Sequence, residues 1–428
     1  MIWPDTEVAF ERLRATLAWV VEHSPYYRKT FSSVGLHPSD ITDYTAFRTK
    51  VPVLRKTDLV ANQREHPPFG EFVTVPRSRF GSLHTSPGPI FLPRLPEENQ
   101  GTETLREAIR SMGVQPGEVV HVTLSYHIMP GGLRLHRAFE AAGCLVINGG
   151  TGSSHLQLEL ARAWQPTVYA GTPSFLAHLV DTAREMKLDL RQNLPYRVGF
   201  STAETLTPQL RQELQETLGI ELFDHCGEAQ IGPLAGECSR HDGMHLHAKD
   251  LFCEFLDPLT GEPASSGSLA EIIVTQLGPR ALPLVRYAPG DTFRIETEPC
   301  PCGRPSPRVR FAGQVGAIRK IKGVLVHPQQ LHNVLQQFRE VERFRLVIDQ
   351  PAGERYERVR LQIGTRASVA DPEQFAERVA AAVKSAILLQ MQVEFVPVAD
   401  IPEEASRPPY REAICDLRPG KTVPHGGT

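Results

Sequence analysis

No charge of one sign dominates this sequence. Its 428 residues carry 46 Lys and Arg against 49 Asp and Glu, a net charge of −3. That balance excludes the electrostatic footprint of a protein that binds nucleic acid or an anionic membrane. No apolar run approaches the roughly 18 residues that a membrane-spanning helix needs. The N-terminus, MIWPDTEVAF, has acids where a signal peptide has basic and then apolar residues. The cytoplasm is therefore the expected compartment. Repeats at solenoid period are absent. The 36 prolines are scattered and form no low-complexity tract. Seven cysteines, an odd number in a long chain, argue against a secreted disulfide scaffold and leave thiols or a metal site.

Hydrophobic residues make up 41% and charged residues 22%, enough to bury a sizeable core, and the length suggests two to four domains. Residues 1–75 read as helix and loop. From about 76 to 280, strand-like stretches (EVVHVTL, LVI, TVYA) alternate with helical ones, which argues for a mainly parallel α/β sheet. The helix after Thr207 is well signalled, with Pro208 at its first position, Leu210, Leu214 and Leu218 on one face, and Gly219 as its stop. Residues 249–297 read as an antiparallel subdomain. After 320 a helix, two strands, a helix and a strand suggest a small α+β unit of ferredoxin-like order. The expected fold class is α/β: an N-terminal body at 1–320 with an antiparallel subdomain, and a C-terminal α+β lid at 321–428.

One metal constellation stands out. Cys300-Pro301-Cys302-Gly303 is a tight thiolate pair, and Cys238 with His241 or His245 would complete a closed Cys₃His set. Four protein ligands leave no open position, so the zinc expected there is structural rather than catalytic. The bland reading is ordinary thiols.

A set of phrases runs in order along nearly the whole chain: His23-Ser24-Pro25-Tyr26-Tyr27-Arg28, Val51–Lys56, Tyr126-His127 with Gly131-Gly132, GCLVINGGTGSS at 143–154, and Ala170-Gly171-Thr172-Pro173-Ser174. Further on come Ala203-Glu204, Asp224-His225-Cys226-Gly227, Gly236-Glu237-Cys238, Leu282–Tyr287 ending at Asp291, and Lys322-Gly323-Val324 with Val326-His327-Pro328. Together these phrases resemble the phenylacetate–CoA ligase branch of the adenylate-forming enzymes. The resemblance implies attack of a carboxylic acid on ATP, then transfer of the acyl group to coenzyme A after the lid swings. It implies that Ala203 and Glu204 border the adenine site and that Asp291 binds ribose hydroxyls. Some members of that branch place the zinc His seven residues after the first Cys, which favours His245 over His241.

The chain departs from this pattern where ATP is handled. The phosphate loop falls on Ser82–Ile90, with one Gly, two Pro and no Lys. Proline has no N–H to offer a phosphate. The Mg²⁺ carboxylate falls on Gln230, a neutral amide, with Glu228 two residues away as the alternative. The arginine expected after Gly313 is Gln314, and the hinge acid is replaced by Gly316 or Ala317. The catalytic lysine is replaced by Tyr410 or Arg411, with Lys421 beyond. ATP, AMP and Mg²⁺ are thus expected in altered use or not at all, and CoA stays as an acceptor.

Other residues carry two readings each. Cys226 is a nucleophile or, by preference, a pocket wall. His127 is a base or a satisfied structural histidine. Asp291 is a nucleotide contact or a turn residue, and Glu204 a ring contact or a support for the helix at Pro208. Three functions follow: an enzyme acting on an organic acid or its activated acyl derivative with non-standard ATP use, a pseudoenzyme scaffold that keeps fold and zinc, or a standard AMP-forming acid–CoA ligase. Expected partners are a small carboxylic acid or acyl-thioester, with a carrier protein and a homodimer as open alternatives, and neither nucleic acid nor membrane.

Overall fold

Short apolar strands joined by amphipathic helices build a parallel sheet from the middle of the chain. In this computed structural model the described residues are all except 87, 99–100, 205, 248, 259, 315–318, 323, 327, 352–356, 367–368, 388, 407–411 and 419–428. At 269, 313–314, 320, 324–325, 329–330 and 333 only the backbone is described. The chain divides into two compact units, Met1–Ala312 and Gly313–Thr428.

In the first unit Leu145–Asn148, Val119–Val122, Val168–Gly171, Val198–Thr202 and Glu221–Glu228 lie side by side in that order, all parallel. Both faces are covered, so these strands are nearly continuous in apolar residues rather than alternating. Leu105 and Ile109 of helix Thr102–Ser111, with Leu135 and Phe139 of helix Gly131–Ala141, pack on Val120, Val122 and Phe200. Tyr169 and Leu222 pack with helices Ser154–Trp164, Pro173–Glu185 and Pro208–Leu218. The last of these helices starts and stops where its sequence predicts. Thr207 Oγ1 accepts the Leu210 N–H at 3.2 Å, and Gly219 closes it at φ 73°. Such a threonine cap stabilises a helix by about 1 kcal/mol.

The antiparallel part of the body continues the parallel sheet. Glu221–Glu228 also pairs antiparallel with Gly232–Glu237, and the ladder runs on through Met244–Leu246, Arg308–Gln314, Asp291–Glu296, Leu269–Gln276 and Leu251–Leu256 to Ile2–Trp3. One 14-stranded sheet results. Continuation leaves no unpaired edge in the middle of the body, where exposed N–H and C=O groups would be costly. The antiparallel half packs Phe47, Phe252, Phe255 and Phe293 against Leu13, Leu17 and Val20 of helix Glu7–His23. A deeply buried ion pair there is well satisfied: Arg286 Nε lies 2.8 Å from Glu254 Oε2, Nη2 lies 3.0 Å from Oε1, and Nη1 donates to Arg48 O and Val51 O.

The second unit has a four-stranded sheet, but not in ferredoxin-like order. Its middle pair, Val341–Asp349 and Arg358–Thr365, is an antiparallel hairpin. Each member gains a parallel neighbour: Gln392–Phe395 beside Arg358–Thr365, and Ile414–Asp416 beside Val341–Asp349. Leu331, Phe375, Val379 and Val383 of helices Pro328–Leu335 and Pro372–Ile387 fill its core with Leu346 and Leu361. Among the described residues no helix is long and apolar enough to cross a membrane.

Glu118 ties the N-terminal edges of three parallel strands together. It accepts the Gln115 N–H and the Thr167 hydroxyl at 2.7 Å each, and Arg197 Nε at 2.8 Å. Burial alone would raise its pKa, but these donors outweigh burial and hold it at about 2. A depressed carboxylate stabilises above its unfolded pKa, roughly 4.3, and that stability disappears as pH falls towards the folded value. Glu118→Gln should therefore cost about 1 kcal/mol at pH 7, discounted for the half-exposed Arg197, and little at pH 2. Urea unfolding at the two pH values measures this.

Candidate functional site

In open α/β sheets ligands bind at the C-terminal ends of the parallel strands. Four of the glycine- and acid-bearing phrases singled out in the sequence leave the sheet at that edge. Gly149 follows strand Leu145–Asn148 and is held by a buried chain of polar side chains. Tyr196 OH donates to His121 Nδ1 (2.8 Å), His121 Nε2 donates to Gln157 Oε1 (2.6 Å), and Gln157 Nε2 donates to Gly149 O (2.6 Å). Burial lowers His121 to a pKa of about 4, so it stays neutral. A Cβ at Gly149 would lie 2.3 Å from Gln157 Oε1, and one at Gly171 would lie 2.0 Å from Thr123 Oγ1. Both loops therefore need glycine for close approach.

Ala203 leaves strand Val198–Thr202 at φ 70°, a left-handed conformation that costs a non-glycine residue about 1 kcal/mol. The next residue, Glu204, accepts the Ser174 N–H at 3.3 Å, beside Thr172 Oγ1, which caps Phe175 N. Glu204 thus supports the start of helix Pro173–Glu185 and not, as its sequence position suggested, the helix at Pro208.

The segment at the phosphate-loop position is a regular hairpin. Ser82–Ser86 pairs with Ile90–Arg94, from Ser82 opposite Arg94 to Ser86 opposite Ile90. Two of its outward donors are also taken. Thr85 N–H donates to Ile128 O at 2.8 Å, and Phe91 N–H to Gln63 Oε1 at 2.8 Å. The buried Gln63 returns its own amide N–H to Phe91 O, so it acts as one residue of an extra strand.

Gln230 sits in the turn between Glu221–Glu228 and Gly232–Glu237. It is buried, and its Nε2 donates to Ser86 Oγ at 2.7 Å, which clamps the turn to the hairpin. Gln276 Nε2 donates to Gln230 O at 3.0 Å. Glu228 Oε1 is paired with Lys56 Nζ at 3.0 Å, both side chains being mostly buried. Arg134 donates from its two Nη atoms to Glu228 O and Ala229 O at 3.2 Å each. Lys56, Ser86 and Arg134 carried no weight of their own in the sequence. They are single polar residues in three separate segments, and only their convergence on this turn singles them out.

Cys226 lies half-buried against the core beside Asp224 and Asp291. Burial, and then these two carboxylates, push its thiol well above the usual range. That environment suits a packing thiol and opposes a thiolate nucleophile. His225 stacks on Phe200, centroids 3.7 Å apart, and burial lowers it to about 3. Asp291 opens strand Asp291–Glu296 beside the buried Tyr287. His127 is exposed on the loop after Val119–Val122, its N–H donating to Ser125 Oγ at 3.2 Å. Tyr410, Arg411, Lys421, Gly316 and Ala317 lie outside the described residues, as does the side chain of Gln314.

The thiol cluster is compact. Ligand atoms of Cys238, His245, Cys300 and Cys302 all lie within 4.8 Å of one another. Cys238 Sγ and Cys300 Sγ are 3.8 Å apart, and Cys302 Sγ is 3.3 Å from His245 Nε2. A tetrahedron with metal–sulfur bonds of about 2.3 Å has edges of about 3.8 Å, so the donor set fits zinc. His245 Nδ1 donates to Ser306 O at 3.0 Å, which leaves the Nε2 lone pair facing the cluster. His241 is instead held between Glu237 (3.2 Å) and Glu221 (3.1 Å), and Glu237 first of all raises its pKa.

Comparison with known proteins agrees with this architecture. A solved 2-hydroxyisobutyryl-CoA ligase, in complex with 2-HIB-AMP and CoA, superposes with a TM-score of 0.87 at 24% identity, covering 97% of this chain and 90% of that one. The fold is therefore that of the adenylate-forming acid–CoA ligases. Residues 323–410 match the AMP-binding enzyme C-terminal domain. The phenylacetate–coenzyme A ligase of Pseudomonas putida is 32% identical over 340 residues, 77% of this chain and 75% of that one. That of Escherichia coli (strain K12) is 30% identical over 336 residues, 77% and 75%. The chain belongs to the phenylacetate–coenzyme A ligase family.

The setting of Cys226 has a measurable consequence. At pH 8 iodoacetamide should label Cys226 more than tenfold more slowly than a free thiol of pKa near 8.5, because alkylation follows the thiolate fraction and access. Peptide mass mapping reads this directly, and rapid labelling of Cys226 would return it to the list of nucleophiles.

Proposed function

We propose that the chain is an acid–CoA ligase-like enzyme that acts on an organic acid or its activated acyl derivative, with the phosphate end of ATP use altered or lost. The observation that carries this reading is Gln230, whose neutral amide is bonded to Ser86 where the family resemblance places a Mg²⁺ carboxylate. A carboxamide is a poor Mg²⁺ ligand. The alternative carboxylate, Glu228, has Oε1 paired with Lys56, while its Oε2 is without a partner among the described residues. The hairpin donors at Thr85 and Phe91 are spent on Ile128 and Gln63. A magnesium-bound triphosphate would therefore meet an amide at position 230 and a hairpin with these two donors already engaged.

The nucleoside side of the site is different. Asp291 and Asp224 present carboxylates beside Cys226, and Asp291 is assigned to ribose hydroxyls. The chemistry that remains is acyl transfer. The CoA thiol attacks the acyl carbonyl, a thioester bond forms, and AMP or another thiol leaves. Phenylacetate is the first acid to test, because that acid appears in the names of the relatives.

ATP–pyrophosphate exchange and calorimetry with Mg²⁺ test the proposal, alongside CoA thioester formation from preformed phenylacetyl-adenylate. The expected result is no Mg²⁺-dependent ATP binding tighter than about 1 mM, corresponding to about 4 kcal/mol, together with thioester formation from the adenylate. Micromolar Mg²⁺-dependent binding with exchange would establish a standard ligase instead. Inactivity in both assays would favour a scaffold. Gln230→Glu alone should not create exchange activity, since the hairpin keeps its donors occupied.

Cys238, His245, Cys300 and Cys302 are assigned a structural zinc that joins the ends of strands Gly232–Glu237 and Met244–Leu246 to the loop before Arg308. Elemental analysis should find about one zinc per chain. Cys300→Ser should lose it and cost about 3 kcal/mol or more, because metal affinity is folding free energy. Protein purified without any metal, yet equally stable, would remove the assignment.

A further inference from the structure

Beside the Gln230 turn lies a small cavity bordered by Pro93, Arg134, Gln230, Gln276 and Arg280. Arg280 is only 8% exposed, and its Nε has no hydrogen-bond partner among the described residues. It also borders an adjoining cavity with His247 and Asp250, where His247 Nε2 and Asp250 Oδ2 are likewise without partners. Arg94, 7% exposed, stands close by with its own Nε unsatisfied. Burial first, and then the neighbouring arginines, lower both Arg94 and Arg134 to about 10. The counter-charges are limited. Glu98 borders the cavity, but its Oε1 already accepts the Leu95 and Ala281 N–H groups at 3.0 and 2.6 Å. Burial lowers Arg280, and Glu98 first, then Asp250, oppose that shift.

Buried guanidiniums that repel one another are costly unless an anion with several acceptor oxygens joins them. Their planar forks suit carboxylate and phosphate oxygens. We propose that this cavity is an oxyanion site, taking a compact phosphate- or carboxylate-type group on Arg280, with the positive charge of Arg134 on the same wall adding to the attraction. The site does not rest on whether ATP is used, and it can be occupied in a protein with no ligase activity.

The test is thermal unfolding and calorimetry of the full, zinc-replete chain in sodium phosphate, sodium acetate or sodium chloride at equal ionic strength. A saturable rise in Tm with phosphate or acetate, absent with chloride, is expected. The anion that acts tells a phosphate-type from a carboxylate-type group. Arg280→Met should weaken that anion at least tenfold while leaving Tm without it unchanged or higher, which removal of a merely structural arginine would not do. Should Arg280→Met fail to fold, Gln230→Glu puts a negative charge on the same wall at nearly the same shape and should also weaken binding at least tenfold. Equal shifts with all three anions, or an anion effect that survives both substitutions, would overturn the proposal.

Discussion

The candidate site hangs on one junction in the sheet, where the last parallel strand hands the ladder to the first antiparallel one. Glu221–Glu228 pairs with Val198–Thr202 on one side and with Gly232–Glu237 on the other. The approach is too close for side chains: a Cβ at Gly227 would lie 2.6 Å from Gly232 O, and one at Gly236 would lie 2.3 Å from His225. Because both strands are anchored, the turn between them is held in place. Glu228, Ala229 and Gln230 can then be gripped from outside by Lys56, Arg134 and Ser86. The same hairpin carries Cys238 at its far end and so leads into the thiol cluster.

Most polar groups at this turn are matched within the protein. One carboxylate faces a lysine, one amide faces a hydroxyl, and the backbone carbonyls face an arginine. In a low-dielectric setting such pairs are strong when complete and costly when broken. Glu228 Oε2 in this turn and Arg280 Nε just beside it are both buried without a hydrogen-bond partner among the described residues.

Much of the fold was legible in the sequence, and the reasons are local. The helix Pro208–Leu218 has its cap, its proline, its apolar face and its glycine within 13 residues, 207–219. The parallel strands were legible as apolar runs. The mixed order of the small sheet was not, because Ile414–Asp416 is three residues long and pairs with Leu346–Ile348 far back in the chain. The continuity of the large sheet was hidden for the same reason: pairing partners leave no periodic mark on either strand. The bond between Glu204 and the Ser174 N–H was not legible, because the two are 30 residues apart in sequence.

By itself the sequence determined what the chain's chemistry lacks. Two prolines in the loop have no N–H, and glutamine at 230 has no charge, whatever the fold does with them. It also determined that four thiol and imidazole donors were available for one metal, with two histidines competing for the last place. Only the tertiary structure decided between them. Strand register sets His245 opposite Gly236 and Arg308 with Nε2 towards Cys302, while His241 falls between two carboxylates. It alone brought Ser86 to Gln230 across 144 residues and set Arg134 and Arg280 on one cavity, with Arg94 close enough to act on Arg134. Covalent chemistry is written residue by residue, but contact between distant residues exists only once burial and the sheet ladder have closed the chain on itself.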